Sequence, residues 1–192
     1  MSLVRPKIAS RTYPDGAATE TFLDFATTFR DEFSYVWNTL SRMGIASRDL
    51  EDVTHDVFVN VCRQWTSYDP SRPIKPWLFG FSFRIASDYR RLARHRREVM
   101  RAVPDPEDRA PLAIEMLIGA EERARLEAAL QEVKLEHRAV LMLHDIDGFA
   151  IPDVARELGM PLNTAYSRLR LAREELARTL GAKQRRGTRH AR

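Results

Sequence analysis

Apolar residues recur every three or four positions along most of this chain, and the alternation typical of β-strands is almost absent. The first stripe of this kind consists of Phe22, Phe25, Phe29, Phe33, Val36, Trp37 and Leu40. Gly44 follows it where a helix commonly ends in the left-handed backbone conformation that glycine adopts freely. The pattern therefore predicts a long first helix that ends near Gly44.

Two further helices are predicted before residue 98. Ser47 can cap the second helix, whose first turns carry acids that the helix dipole favours. Its apolar face consists of Leu50, Val53, Val57, Val61 and Trp65. The three prolines in residues 66–76 indicate a loop, and Pro76 suits the first turn of a third helix. The inward face of that helix is predicted to hold Trp77, Phe81, Ile85, Tyr89 and Leu92.

The second half of the chain is also predicted to be helical. One helix is expected over about residues 112–133, and another over residues 136–148. A short helix then begins at Pro152 and stops at Gly159, and a longer helix follows at once. The inward face of this longer helix is predicted to hold Leu162, Ala165, Leu169, Ala172 and Leu176. The fold class is therefore all-α, with two small helical domains joined by a flexible linker.

The short helix, the glycine turn and the longer helix have the form of a helix-turn-helix. The outer face of the longer helix is polar and basic, and consists of Asn163, Thr164, Ser167, Arg168 and Arg170. Arginine is a natural bidentate partner of guanine in the major groove. The structural alternative is an ordinary helical hairpin with a solvated arginine face.

Arginines also crowd the end of the third helix, at Arg84, Arg90, Arg91, Arg94, Arg96 and Arg97. Arginines near aromatic side chains suit single-stranded nucleic acid, because the aromatic rings stack on unpaired bases. Most of the nearby aromatic residues have helical spacing and are expected in the core, whereas Tyr68 lies in the loop. The alternative is that the arginines form a plain solvated surface.

Composition narrows the class of protein. The formal net charge is only +4, so the distribution of basic residues is more informative than their excess. Cys62 is the one cysteine, which excludes an internal disulfide and fits a reducing compartment. The N-terminal residues lack the apolar segment of a secretory signal, and no apolar run is long enough to span a membrane. We expect a cytoplasmic protein without membrane insertion.

The sequence offers no pattern typical of an enzyme. The histidines and Cys62 lack zinc-ligand spacing, and neither a phosphate-binding loop nor a nucleophile elbow is present. Residues 144–148 hint at a calcium loop, but Gly148 comes two positions early and Arg156 stands where a bidentate glutamate is needed. We expect neither catalysis nor a cofactor or metal.

Two segments resemble a known family. Residues 49–65, "DLEDVTHDVFVNVCRQW", and 75–98, "KPWLFGFSFRIASDYRRLARHRRE", are similar to region 2 of bacterial RNA polymerase sigma factors. Residues 126–176 are similar to region 4, and the short chain matches the extracytoplasmic-function (ECF) subfamily of the sigma-70 family. The resemblance implies an N-terminal extension at 1–17, region 2 at 18–98, a linker at 99–120 and region 4 at 121–180, followed by a basic tail at 181–192. The polar, basic composition of this tail predicts that it is disordered.

In that family, region 2 docks on the largest polymerase subunit and recognises and melts the −10 promoter element, whereas region 4 reads the −35 element as duplex. The resemblance assigns core-polymerase binding to Asp49, Asp52, Asp56, Asn60 and Arg63. It assigns binding of the −10 DNA to Tyr68, Arg72, Arg84, Asp88, Arg91 and Arg94. It assigns binding of the −35 DNA to Asn163, Thr164, Ser167, Arg168 and Arg170. The implied partners are core RNA polymerase, promoter DNA and an anti-sigma factor.

The chain departs from the family pattern at three positions. Asparagine is common where Arg84 stands, lysine where Tyr166 stands, and proline near Lys134. The −35 sequence therefore cannot be inferred from a relative. Because base contacts concentrate near the start of a recognition helix, we expect Arg168 to contact a base and Arg170 a phosphate. The alternative function is a polymerase-independent helix-turn-helix regulator, which would bind duplex DNA unaided.

Overall fold

The computed structural model describes the backbone of residues 15–100 and 117–187, and the side chains of residues 24–93 and 124–181. The described part is helical and contains no strand, which confirms the all-α prediction. Its helices are α1 (Asp15–Met43), α2 (Leu50–Arg63), α3 (Ile74–Met100), α4 (Leu117–Glu132), α5 (Leu135–Leu141), α6 (Ile151–Glu157) and α7 (Leu162–Gly187).

Helices α1, α2 and α3 pack on one another as a three-helix bundle. Its centre consists of Val36, Leu40, Val57, Phe58, Val61, Leu78 and Phe79, each at most 2% exposed. Gly44 ends α1 with a φ of +89°, as its position predicts. Pro76 lies in the first turn of α3, where the missing N–H leaves no hydrogen bond unmade.

Two details of this bundle differ from the sequence-based expectation. Ser47 begins a 3₁₀ turn, Ser47–Asp49, and α2 begins only at Leu50, without a side-chain cap. The prediction that Ser47 caps α2 is therefore wrong. Leu92 was expected to face inward, but it is 56% exposed. The bundle ends before this turn of α3, and the buried face instead includes Leu78, Phe79 and Ala86.

Helices α4 to α7 form a second unit, in which α7 packs against α4, α5 and α6. A π-helical segment, Met142–Ile146, continues α5, and Gly148 ends it with a φ of +80°. Gly159, with a φ of +63°, separates α6 from α7 as the sequence predicts. Val154 of α6 and Ala165, Leu169 and Ala172 of α7 are all buried.

Two expectations for α7 are wrong. Leu162 is 44% exposed, because it is the first residue of the helix and lies beyond the packed surface. The basic segment after residue 180 was expected to be disordered, yet α7 continues through it to Gly187. The predicted linker lies largely outside the described residues, as do the last five residues of the tail and most of the N-terminal extension.

The two units contact one another. Helix α3 contacts α6, and α1 contacts both α4 and α5, so the buried residues of both units form one continuous apolar cluster. Within the described ranges, no helix is long and apolar enough to cross a membrane.

Candidate polymerase and nucleic-acid interfaces

The outer face of α2 carries an acidic stripe. Asp52 and Asp56 are exposed one turn apart, and Asn60 and Arg63 follow on the same side of the helix. The Asn60 side-chain amide donates to the Asp56 carbonyl at 2.8 Å. Val59, beside this stripe, is 46% exposed, so the face combines charge with apolar surface. We call Asp52, Asp56, Asn60 and Arg63 the α2 stripe.

Asp49 does not belong to the α2 stripe. Its carboxylate accepts a hydrogen bond from the Tyr89 hydroxyl of α3 and lies 3.7 Å from the guanidinium of Arg48. Burial and this carboxylate raise the pKa of Tyr89, so the phenol stays protonated as the donor. Asp49 therefore attaches the start of α2 to α3, a structural role that its acidic neighbours in the sequence conceal.

The loop before α3 is ordered by Tyr68. The ring of Tyr68 packs on Trp77 and Trp65, with centroids 5.0 and 5.7 Å away. Its hydroxyl donates to the Arg72 carbonyl at 2.6 Å, which closes the loop, and burial raises its pKa. Tyr68 is half-buried, so the ring has both a packing partner and an open side. Arg72, four residues later in the same loop, has an exposed guanidinium that lies 3.3 Å from the Asp69 carboxylate.

The basic side chains of α3 have separate roles. Arg84 is exposed and lies over the Phe81 ring, 4.6 Å from its centroid. Arg91 pairs with Asp88 at 3.0 Å, and both side chains are largely exposed. Arg90 points instead toward α1 and donates to the Met43 carbonyl at 3.1 Å. The side chains of Arg94, Arg96 and Arg97 lie outside the described residues.

The outer face of α7 is open along its first turns. Asn163, Ser167 and Arg170 are exposed, at spacings of four and three that place them on one side of the helix. Arg170 pairs with Glu174 at 2.6 Å on the same exposed face. Thr164 lies beside this row and is half-buried.

Arg168 lies on the flank of α7, and not on the open row. Its guanidinium is 3.9 Å from the Met160 sulfur, and the residue is half-buried. Tyr166, on the opposite flank, is 54% exposed and was not among the residues predicted to contact −35 DNA. A large exposed aromatic side chain on the first turns of α7 is a further candidate for a contact with a macromolecule.

Ion pairs at its middle fix α7 to the rest of the unit. Arg173 donates two hydrogen bonds to the Asp145 carboxylate, at 3.0 and 2.7 Å. These bonds hold the pKa of Asp145 below its usual value. Glu175 accepts from the Lys134 backbone N–H at 3.0 Å and lies equally close to the His137 ring. Helix α7 is thus attached to α5 and to the π segment through side chains of its middle turns.

In the described part of the chain, no group of three or more histidine, cysteine or acidic side chains could hold a metal ion. The arrangement instead offers three surfaces for macromolecules: the α2 stripe, the aromatic and basic loop before α3, and the open row of α7.

Two family models match this chain, one in each helical unit. The family model described as "Sigma-70 region 2" matches residues 29–98. The model described as "Sigma-70, region 4" matches residues 123–176. Together they cover most of both helical units and include all three surfaces.

Curated relatives are similar over most of the chain. ECF RNA polymerase sigma factor SigE of Mycolicibacterium smegmatis is 29% identical over 77% of this chain, and the match spans 58% of that relative. RNA polymerase sigma factor CnrH of Cupriavidus metallidurans is 27% identical over 72% of this chain and 77% of its own length. ECF sigma factor SigM of Mycobacterium tuberculosis is 30% identical over 70% of this chain and 66% of its own.

Solved structures show the same fold. The sigma factor RpoE of Bartonella quintana, crystallised with the anti-sigma factor NepR, superposes with a TM-score of 0.65 and 19% identity, over 82% of this chain and 97% of RpoE. CnrH in complex with the cytosolic domain of CnrY gives a TM-score of 0.61 and 24% identity, over 88% and 94% of the two chains.

Proposed function

This chain belongs to the sigma-70 family, within its ECF group of RNA polymerase sigma factors, and on that premise we propose that it binds core RNA polymerase and directs transcription from specific promoters. The observation that carries the proposal is the joint presence of an exposed acidic stripe, an aromatic and basic loop, and a helix-turn-helix with an open polar row. A sigma factor needs all three, because it must hold a polymerase, open DNA and read duplex.

The three surfaces suit three tasks. The α2 stripe offers paired carboxylates and an apolar residue to a basic partner, as a polymerase docking helix requires. Tyr68, Arg72 and Arg84 combine a ring with guanidinium groups, which suits unpaired −10 DNA. The open row of α7 suits the major groove at −35. Region 2 is proposed at 18–98 and region 4 at 121–180.

A polymerase-independent regulator is the alternative, and it makes a different prediction. Such a protein would read duplex DNA with α7 and would have no use for the α2 stripe or the loop before α3. Gel filtration of the purified chain with core polymerase separates the two functions. We expect the chain to elute with the core enzyme. Elution of all of the chain at its own position, with tight duplex binding, would support the regulator instead.

The further partners follow from the relatives. RpoE was solved in complex with NepR, which is named as an anti-sigma factor, and CnrH was solved in complex with the cytosolic domain of CnrY. We propose that this chain too is controlled by an anti-sigma protein. We propose that the chain acts in the cytoplasm, where promoter DNA and polymerase are found, and that it binds both without catalysing a reaction itself.

The exposure pattern of α7 revises the expected roles of its arginines. Arg170 shares the open row with Asn163 and Ser167, so we now expect Arg170→Ala to remove a base contact and Arg168→Ala a phosphate contact. Loss of a bidentate base contact should cost about 1–3 kcal/mol and relax specificity at one position. Loss of a phosphate contact should weaken every sequence alike and lower the salt slope by about one.

Holoenzyme binding to −35 variants across a salt series measures both effects. Arg178→Ala, exposed later on the same helix, is the matched control and should change neither. If Arg170→Ala weakens all variants equally while Arg168→Ala relaxes one position, the two roles are reversed. If neither substitution has an effect, α7 does not enter the groove.

The loop before α3 makes a second prediction. Tyr68→Ala should reduce open-complex formation more than duplex binding, because stacking on one unpaired base contributes about 1–3 kcal/mol. Tyr68→Phe keeps the ring and loses only the hydrogen bond to the Arg72 carbonyl, so it should retain most of the activity. Permanganate footprints of the unpaired thymines provide the measurement. Equal footprints from the parent and Tyr68→Ala would remove Tyr68 from the melting step.

A further inference from the structure

Helix α7 begins with exposed apolar side chains that the roles proposed for its polar residues do not explain. Leu162, the first residue of the helix, is 44% exposed, and Tyr166, one turn later, is 54% exposed. Residues that are four apart in a helix lie on the same side, one above the other. We call Leu162 and Tyr166 the α7 apolar patch.

The α7 apolar patch takes no part in the buried face of the helix. That face consists of Ala165, Leu169 and Ala172, each at most 5% exposed. Within the described residues, the Tyr166 hydroxyl makes no hydrogen bond, and no aromatic or cationic side chain lies against its ring. Both side chains of the patch are therefore available to a partner outside the chain.

The position of the patch on α7 favours DNA as that partner. Tyr166 follows Asn163 by three residues and precedes Arg170 by four, so it borders the open row of α7. In a helix-turn-helix, base edges are contacted by the first turns of the second helix. Helical side chains point back toward the N-terminus, which directs the Tyr166 ring toward the turn of Leu162 and Asn163. The patch and the open row would therefore meet the same segment of a duplex.

Thymine is the base whose chemistry fits an apolar patch. Its C5 methyl lies in the major groove beside the O4 acceptor, whereas the other three bases are read there by their hydrogen-bond donors and acceptors. An apolar side chain gains free energy when it covers a methyl group, but it leaves a covered amino or carbonyl group without a hydrogen-bond partner. The patch also lacks the positive charge with which lysine and arginine bind phosphates. It therefore suits a thymine better than another base or the phosphate backbone.

We infer that Tyr166, with Leu162 beside it, contacts the C5 methyl group of one thymine in the −35 element, so that this thymine is part of the sequence that the chain recognises. The inference rests on the proposed function, which identifies the duplex as a −35 element. It adds an apolar contact to the base and phosphate contacts expected of Arg170 and Arg168.

Replacement of thymine by deoxyuridine tests this contact, because it removes the methyl group and keeps the base pair and the O4 acceptor. The probes are promoter duplexes that the holoenzyme selects from a pool with a randomised upstream half. Each thymine of the shared upstream element is replaced in turn, and labelled duplex is titrated with holoenzyme. The variants are Tyr166→Ser, which removes the ring, and Tyr166→Phe, which keeps the ring and loses only the hydroxyl. Circular dichroism checks that each variant has the helical content of the parent.

In the parent, replacement of one particular thymine should weaken binding about fourfold. This factor corresponds to about 0.8 kcal/mol for one buried methyl group, at about 1.4 kcal/mol per tenfold. Tyr166→Phe should show the same loss. Tyr166→Ser should bind the thymine duplex about fourfold more weakly than the parent, and it should lose nothing further with deoxyuridine, because the contact is already absent.

A merely structural role of Tyr166, or a phosphate contact, would weaken both duplexes by the same factor, so the fourfold difference would persist in Tyr166→Ser. That result would overturn the inference, and so would a parent whose affinity no thymine replacement changes or a selected element without thymine. If the chain does not bind core polymerase, the proposed function fails. The pool is then selected with the full chain alone, and the same replacements decide whether Tyr166 reads thymine. If the full chain selects no duplex either, both the proposed function and the inference are wrong.

Discussion

Reversal of Asp52 and Asp56 to arginine is expected to weaken binding of the chain to core RNA polymerase by about a hundredfold or more, because like charges brought together at an interface cost several kcal/mol. Both carboxylates are exposed one turn apart on α2 and make no ion pair within the described residues. The reversal therefore changes the docking face without breaking a contact that holds the bundle together.

The control for this double variant is the reversal of Asp24 and Asp31 to arginine. Both residues are exposed on α1, and the variant carries the same change in net charge. Circular dichroism should show the parent's helical content in both variants, and titration of labelled chain with core polymerase gives the affinities. Equal affinity for the α2 variant and the α1 control would show that α2 is not the docking helix.

Arg138→Met is expected to lower the free energy of unfolding by about 3 kcal/mol or more, because each buried carbonyl left without a donor costs about 1–3 kcal/mol. Methionine keeps the length and most of the apolar contact of the side chain but none of its hydrogen bonds. The carbonyls of Gln131 and Val133 would lose this donor, and the Arg42 carbonyl would keep only its hydrogen bond from the Gln131 amide. Denaturant unfolding followed by circular dichroism provides the measurement.

Arg178→Met is the matched substitution, because Arg178 is exposed on α7 and should change stability by only a few tenths of a kcal/mol. A loss below about 1 kcal/mol for Arg138→Met would mean that water replaces the guanidinium at little cost. Arg138 would then have no essential part in joining α1, α4 and α5.

The helices and their ends were predictable because both are local properties. Apolar residues at helical spacing identify each buried face, and Gly44, Gly148 and Gly159 all adopt the positive φ that ends a helix. The helix-turn-helix is determined by a short segment of the sequence. Helix α6, the glycine turn and α7 therefore lie where the pattern predicts them.

The errors arose where a distant part of the chain decides the outcome. Helical periodicity alone predicts that Leu92 and Leu162 are buried, like the other leucines at this spacing. Both are exposed, because no neighbouring helix covers either of them. The burial of Arg138 could not be predicted from periodicity, because the carbonyls that it binds belong to α1, about a hundred residues earlier, and to the end of α4.

The candidate site shows the same division. Asp52 and Asp56 are exposed one turn apart, as helical spacing predicts, whereas Asp49 accepts a hydrogen bond from Tyr89, forty residues away in the chain. Arg168 and Arg170 cannot be ranked by sequence position, because the Met160 corner, and not the helix start, decides which guanidinium faces outward. Such contacts require the packed structure.

Run-off transcription with core polymerase on genomic fragments, with the start sites mapped, tests the central claim most directly. The account predicts that core polymerase alone gives no specific transcripts and that addition of the chain produces discrete start sites. Upstream of these sites, two shared sequence elements should lie about two helical turns apart. If the chain binds some fragments tightly but adds no start site to those of core polymerase alone, it is not a sigma factor and the regulator is the better account.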